Sequence, residues 1–367
     1  MTHTWWNAFR PLPWVRVAPL LVAAIVPASG AAQRLPPPLA QFLQQTIALD
    51  RNQLMAVSGG RPLAKALETP DRDEIAIFGI VRIDVPRSFY VRAAADFRSS
   101  LGNPWRTQLA LFSDPASEAD VAPLSVPHPD VDELRRCSPG SCNVKLSSDA
   151  MARVRAAMDV DSLGPDAAVN AFFRARLVEY VDAYRAHGDS ALVQYDDQPS
   201  RTAAARVSAR LLSRSPYLYE YAPSLERYLE HYPHDRPPGV HEVLFWSLDD
   251  LPNLRRTITV SHALVYEPSD LEGCTFIVAK LLYAAHYLDG ALDLTAVVDQ
   301  ARDQAPGASG IYVVRLQRLH FDRLPSSGPL DVRGRVIGAL RDRAERWLED
   351  TKTRNERAHA DAQAPTR

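Results

Sequence analysis

Eleven residues near the C-terminal third concentrate side chains able to move protons: Lys280-Leu281-Leu282-Tyr283-Ala284-Ala285-His286-Tyr287-Leu288-Asp289-Gly290. On a regular strand, alternation places Lys280 and His286 on one face and Tyr283, Tyr287 and Asp289 on the other. Ser261-His262 lies on the preceding strand. A turn near residues 268–273 would set Ser261 or His262 beside Lys280 across the ladder. The expected chemistry is general acid/base work centred on His286, with Lys280, His262, Tyr287 and Asp289 as the other candidates. The same residues also serve as structural hydrogen-bonders on a buried sheet, because spacing alone does not make side chains converge.

Other motif searches exclude more than they find. His231, His234, His241 and Glu242 crowd a Pro-rich stretch, and His241 to Phe245 opens like a zinc-protease helix. Phe245 stands where the second ligand histidine belongs, so no metal is expected. Ser309, in Gly307-Ala308-Ser309-Gly310, lacks the spacing of a nucleophile elbow. There is no phosphate-binding glycine loop and no dinucleotide fingerprint, so no cofactor is expected. Lys/Arg and Asp/Glu are interspersed along 367 residues of net charge -2, with no basic patch. A nucleic-acid partner is not expected, since phosphate binding draws on concentrated positive charge.

The N-terminus points to export. Arg10 and Arg16 precede an apolar run from Val17 to Val26, followed by Ala28, Ser29, Gly30, Ala31 and Ala32. Basic, apolar and small segments in that order read as a secretory signal peptide over 1–32, with cleavage after Ala32 or Gly30. The apolar run is half the ~20 residues that a spanning helix needs. Cleavage removes two arginines and no acid, taking the net charge to about -4. A periplasmic or extracellular location is therefore expected, with no transmembrane segment left in the mature chain. Cys137-Ser138-Pro139-Gly140-Ser141-Cys142 folds back at Pro-Gly, and an oxidising compartment favours a Cys137–Cys142 disulfide. Cys274 is left over and reads as a buried small hydrophobe.

The elements that must position these groups follow from periodicity. Residues 33–70 read as an N-terminal helical segment. Ile75 to Val85 reads as a buried strand and Pro86 as the start of a helix. Helices follow in an insertion of about 148–235, the clearest between Gly164-Pro165 and Gly188. A tyrosine-dense stretch holds Tyr217, Tyr219, Tyr221, Tyr228 and Tyr232. Strands are expected at Val243–Trp246, Arg256–Tyr266, Thr275–Tyr287, Leu292–Val298 and Ile311–Phe321. A last helix is capped by Asp331, with Val336, Ile337, Leu340, Ala344, Trp347 and Leu348 as its apolar stripe. Residues 354–367 read as a polar tail, leaving one domain over 71–353. The expected fold class is α+β, an antiparallel sheet packed on a long C-terminal helix.

The opening Phe78 to Phe97 (FGIVRIDVPRSFYVRAAADF) and the closing strands plus helix, Arg256 to Asp350, resemble the helix-grip fold of the START-type (SRPBCC) superfamily. The resemblance implies a sheet wrapped on the terminal helix around a cavity for a small apolar ligand. It carries over no catalytic residue. Three functions are thus expected in turn: a ligand-binding protein, an enzyme with an acid/base site around His286, and an envelope interaction module using the tyrosine-rich region.

Overall fold

A computed structural model of the chain describes residues 35–97, 106–160, 164–250, 254–300, 310–324 and 331–364, apart from the side chains of Leu218 and Tyr219. The expected signal segment 1–32, Ser309 and the last residues of the tail lie outside the described residues. The α+β expectation is met by an eight-stranded antiparallel sheet with helices on both faces. In chain order its strands are β1 (Leu63–Leu67), β2 (Glu74–Ile83), β3 (Arg106–Leu111), β6 (Val240–Asp249), β7 (Thr257–Tyr266), β8 (Cys274–Ala284), β9 (Leu288–Asp299) and β10 (Ile311–Phe321). Across the sheet they run β1-β2-β10-β9-β8-β7-β6-β3. A small hairpin, β4 (Gln194–Tyr195) with β5 (Thr202–Ala203), stands apart.

The sequence dictates this layering. Every residue of Thr257–Tyr266 is buried, so β7 is covered on both faces, as its β-branched run requires. One face carries α3 (Arg87–Ala95) and α11 (Val332–Gln363). The Asp331 carboxylate accepts the Gly334 N–H at 2.8 Å, the expected cap of α11. Ala344 and Leu348 are buried against Ile75, Ile77 and Val81 of β2, with Val336, Ile337 and Leu340 half-buried alongside. The lack of a side chain at Gly79 lets Leu348 sit against the strand; a Cβ there would come within 3.0 Å of Leu348 Cδ1. The space left between helix and sheet, lined by Ile77, Gly79, Arg315, Gln317, Ala344 and Leu348, is about 10 Å³, room for one water.

The other face carries α1 (Pro37–Gln45), α2 (Arg51–Ser58) and the helical excursion between β3 and β6: α4 (Glu118–Val121), α5 (His128–Leu134), α6 (Ser148–Val160), α7 (Pro165–His187), α8 (Ala204–Ser213), α9 (Pro216–Tyr221) and α10 (Pro223–His231). The stripe Val169, Phe173, Leu177, Tyr180, Val181 and Tyr184 of α7 packs in one cluster with Trp246, Val260, Leu282 and Tyr283 of the sheet. Cys137 and Cys142 are disulfide-bonded, and Gly140 takes φ +81° at the turn between them. Cys274 is free and buried.

Two boundaries differ from the sequence reading. The N-terminal segment is not wholly helical, because Leu63–Leu67 joins the sheet beside β2. The terminal helix runs on to Gln363, past the tail expected from 354, because Asn355 is buried and the His359 ring lies 4.8 Å from the Phe89 ring of α3.

Candidate functional site

The strands β8 and β9 pair from Cys274↔Val298 only as far as Lys280↔Leu292, then separate. Backbone groups on that side of β8 therefore need other partners. Tyrosines and the chain after the disulfide supply them. The Tyr180 hydroxyl donates to the Leu282 carbonyl at 2.6 Å, and the Ala284 N–H donates to the Tyr195 hydroxyl at 3.2 Å. The Lys145 N–H donates to the Ala285 carbonyl at 2.9 Å. Burial pushes the phenols of Tyr180, Tyr195 and Tyr283 well above the usual range, so they act as neutral hydroxyls. Between Leu146, Phe173, Leu177, Tyr180 and Tyr283 a space of about 20 Å³ remains.

Lys145 spans the opening. Its backbone holds β8, while its ammonium donates to Asp289 Oδ1 on β9 at 2.7 Å. The same nitrogen lies 3.6 Å from Asp197 Oδ2 and 4.3 Å from the centre of the Tyr195 ring. Asp289 Oδ2 is 3.2 Å from His320 Nδ1, and His320 Nε2 is 3.7 Å from Asp71 Oδ2. Asp71 is bound by Arg210 at 2.9 Å, and Glu74 by Arg318 at 2.5 Å and by Arg214. Lys145, Asp197, Asp289, His320, Arg318 and Glu74 are all buried.

The acids of this cluster are pulled in opposite directions. Burial pushes Asp289 up, but His320 and Lys145 outweigh it and hold the carboxyl below its ordinary value. Burial wins at Asp197, which stays raised despite Lys145. At Asp322, just beyond β10, burial again raises the carboxyl, and the charges of Asp289 and Asp197 add to it. One ammonium thus serves an ionised carboxylate beside groups that keep their protons to higher pH. Neighbouring carboxyls with separated affinities can divide base and acid roles between them.

His286 stands at the same end but is fully engaged. Its Nδ1 lies 2.8 Å from the Asn143 carbonyl and its Nε2 3.0 Å from Asp130 Oδ2. An acceptor faces each nitrogen, so the ring satisfies both by donating twice or by sharing a proton with Asp130. Neither nitrogen is left to take a proton from a substrate. Asp130 is also 3.5 Å from Arg255, so His286 clamps the β8–β9 turn to α5 and the disulfide loop. Tyr287 follows with φ +64°, and the Leu288 N–H donates to the His286 carbonyl at 2.7 Å. That contact over one residue is a γ-turn in its strained form. The Tyr287 hydroxyl accepts the Arg255 N–H at 2.7 Å.

Lys280 and His262 are brought together elsewhere, as register partners in mid-sheet. Lys280 donates to Asp189 Oδ1 at 2.5 Å and to the Leu229 carbonyl at 3.1 Å. Burial lowers its affinity for the proton, against the pull of Asp189. Burial likewise lowers His262, against Glu242. The neutral ring donates from Nε2 to Glu242 Oε2 at 3.0 Å and accepts the Tyr184 hydroxyl at Nδ1, 3.2 Å away. Glu242 also accepts the Tyr228 hydroxyl at 2.7 Å. Burial raises Glu242, but the hydrogen bonds from His262 and Tyr228 hold it below its ordinary value. This carboxylate–imidazole–phenol chain resembles a proton relay in order, with Tyr184, His262 and Lys280 buried beneath α7 and α10.

The structure therefore divides the candidates. His262 and Lys280 share one buried network; His286, Tyr287 and Asp289 lie around the turn, where only Asp289 joins the ionic cluster. Strict alternation fails at Tyr283, because the β7–β8 register shifts between Val260 and Ser261. That bulge places Leu282 and Tyr283 in the same core cluster, on the Lys280 side. His286 is past the end of the strand, so alternation does not apply to it. Ser261 pairs with Leu281 and is buried. His241 is exposed, and HEVLF is a strand rather than a helix.

Sequence reasoning missed Lys145, Asp197, Asp71, Asp322 and His320. One signal was present: along IYVVRLQRLHF, Arg318 and His320 interrupt the face that Tyr312, Val314 and Leu316 otherwise keep apolar. No family model matches the chain, and no curated protein or solved structure matches it.

Proposed function

We propose that the protein is an exported enzyme performing acid–base chemistry on a small polar substrate at the open end of β8 and β9. Asp289 is the ionised base, His320 passes or holds a proton beside it, and Asp197 or Asp322 donates one. Lys145 is the positioning residue that keeps Asp289 charged. The observation that carries this reading is the buried Lys145 ammonium 2.7 Å from Asp289 and 3.6 Å from Asp197, with His320 3.2 Å from the other oxygen of Asp289. The basic-apolar-small N-terminus and the Cys137–Cys142 disulfide support export.

The alternative of an apolar ligand between the sheet and the terminal helix has about 10 Å³ to draw on. The tyrosine-rich region gives the interaction reading little surface. Tyr217 and Tyr221 pack edge-on against Phe42, and Tyr228 is buried.

The test is a carbon-detected NMR titration of the aspartate carboxyls. Asp289 should titrate below the ordinary value near 4, and Asp197 and Asp322 above it. A single common midpoint for the three would defeat the assignment. In parallel, p-nitrophenyl phosphate, acetate and glucoside should reveal turnover that Asp289→Asn and His320→Gln each reduce on the order of a hundredfold. Turnover unchanged in Asp289→Asn would remove Asp289 from the chemistry.

A further inference from the structure

A second group of polar side chains lies at the end of β2 and β10 away from His320, and it is short of acceptors. Arg82 and Tyr312 are register partners on these neighbouring strands, so they share a face. Arg82 Nη2 donates to Asp84 Oδ2 at 3.2 Å. Its Nε and Nη1 are buried and have no hydrogen-bond partner among the described residues. The same holds for the Tyr312 hydroxyl and for Nε2 of Gln300, just beyond β9. Gln300, Ser58 and Arg82 come within interaction range of that hydroxyl, but none of these contacts has hydrogen-bond geometry. Tyr312 is 0% and Gln300 8% exposed, so water does not reach them freely.

Two glycines show that the groups meet. A Cβ on Gly60, which takes φ +82° after α2, would stand 3.5 Å from Arg82 Nη2, 3.6 Å from Arg82 Nε and 3.5 Å from Lys352 Nζ of α11. Three cationic nitrogens therefore surround one space that a side chain would otherwise fill. Lys352 spends two protons on the Arg82 carbonyl at 3.1 Å and Glu356 Oε1 at 2.8 Å, which leaves a third. A Cβ on Gly310 would touch Gln300 Oε1 and stand 3.5 Å from Asp84 Oδ1, so Gln300 lies beside the Arg82–Asp84 pair. The end of α2 already has its own partners: the Met55, Ala56 and Val57 carbonyls accept the N–H groups of Gly59, Arg61 and Gly60. Asp84 and Glu356 stand partly in solvent, with side chains 51% and 31% exposed.

All four unmet groups can donate, and donors buried without an acceptor cost stability. Beside two cations the acceptor they call for is an anion, to which hydrogen bonds are the stronger kind. We propose that Arg82, Tyr312, Gln300 and Lys352 form a binding site for a small inorganic anion of the chloride class, seated beside Gly60. A halide is close in size to the methyl group that Gly60 lacks, which favours it over a tetrahedral oxyanion. The bound ion ties the loop after α2 to β2, β10 and α11. It is separate from the acid–base site, which lies at the other end of β10.

Binding is read by chlorine NMR of the full chain, in which an ion held by the protein broadens the free-chloride line. Saturable broadening is expected, reversed by bromide and not by sulfate at equal ionic strength. Tyr312→Phe removes one hydrogen bond to the ion and should weaken binding about tenfold, and Arg82→Gln should abolish it. Arg346→Gln, on the exposed side of α11, should leave it unchanged. The fold is read separately, by urea unfolding of wild type and Tyr312→Phe in sodium chloride and in sodium fluoride. In fluoride, which water holds too strongly to enter, the hydroxyl has no partner and its loss leaves stability level or raised. In chloride the wild type gains stability that the variant lacks. An equal difference in the two salts would put a water in place of the ion and overturn the proposal. Absence of saturable broadening, broadening unchanged in Tyr312→Phe, or displacement by sulfate as complete as by bromide would overturn it too.

Discussion

Replacing Lys145 by Met keeps the length of the stem and removes the charge, so it isolates what the ammonium does. Asp289 and Asp197 are its partners, at 2.7 and 3.6 Å, and their side chains are 4% and 2% exposed. Deleting one member of a buried ion pair costs roughly 3–5 kcal/mol, because the remaining charge stays out of water without compensation. The contact of the ammonium with the Tyr195 ring adds ~0.5–2 kcal/mol. His320 still faces Asp289, which pulls the expectation to the lower end, about 3 kcal/mol at pH 7. The loss must also depend on pH. In the wild type the depressed Asp289 carboxyl contributes stability above its unfolded value near 3.9, and that contribution disappears as pH falls through the folded value. In Lys145→Met the desolvation of Asp289 is met by His320 without the ammonium, and that of Asp197 loses its chief opposition, so both folded values rise. The penalty is then full at neutral pH and relieved as the carboxyls take up protons. Urea unfolding of both proteins between pH 7.5 and 4 should show the difference shrinking steadily towards acid. Lys145→Met/Asp289→Asn should recover part of the loss at pH 7. A difference under about 1 kcal/mol, or one independent of pH, would refute the claim that Lys145 sustains a buried ionised carboxylate.

Other consequences are equally accessible. Gly79→Ala places a methyl 3.0 Å from Leu348 Cδ1 and should cost ~1–3 kcal/mol by overpacking; adding Leu348→Ala should give a double mutant more stable than the sum of the two losses, and strict additivity in guanidinium melts would contradict the contact. The Cys137→Ser/Cys142→Ser variant opens a loop of sequence separation 5 and should lose about 2 kcal/mol, with unchanged thermal stability as the contrary result. His262 holds its proton less readily folded than unfolded. As pH falls below about 6.5 the unfolded chain gains a proton that the buried ring refuses, so stability declines towards the lowered folded value, by at most ~1.4 kcal/mol per pH unit. His262→Gln should flatten that slope between pH 6.5 and 5, and parallel profiles would count against a neutral buried ring. His286→Gln should destabilise the fold by about 2–4 kcal/mol through loss of its link to Asp130, and leave any turnover per folded molecule intact; a selective loss of turnover in fully folded protein would return His286 to the chemistry.

The strands and the terminal helix were legible in the sequence because their signals are local. IYVVRLQRLHF is a strand by its β-branched content wherever it sits, and its limits in the structure match the pattern at both ends. Asp331 caps α11 through the backbone three residues on, a contact that no distant residue can alter. The turn at Pro139-Gly140 likewise brings Cys137 and Cys142 together from within six residues. Where local pattern met tertiary context, it failed in identifiable ways. The tail from 354 has polar composition, and it is helical because Asn355 and His359 find partners on the body of the fold. The alternation through Leu281 to Asp289 was upset by one bulge and by the end of the strand.

The site shows the same division more sharply. The sequence by itself determined that Asp289, His286, Lys280 and His262 would lie on or beside a buried sheet, since their neighbours are apolar and β-forming. It also set Ser261 or His262 beside Lys280, and the observed register chose His262. Only the tertiary structure decided which of these groups share a site. Lys145 and Asp289 are 144 residues apart, and Asp130 and His286 156 apart. Side-chain charges carry no local pattern that names a distant partner, because their energy comes from burial by other elements and from the few ångströms left between them. The separation of β8 from β9 beyond Lys280 made room for Lys145, and that opening depends on chain that arrives from the far side of the helical excursion.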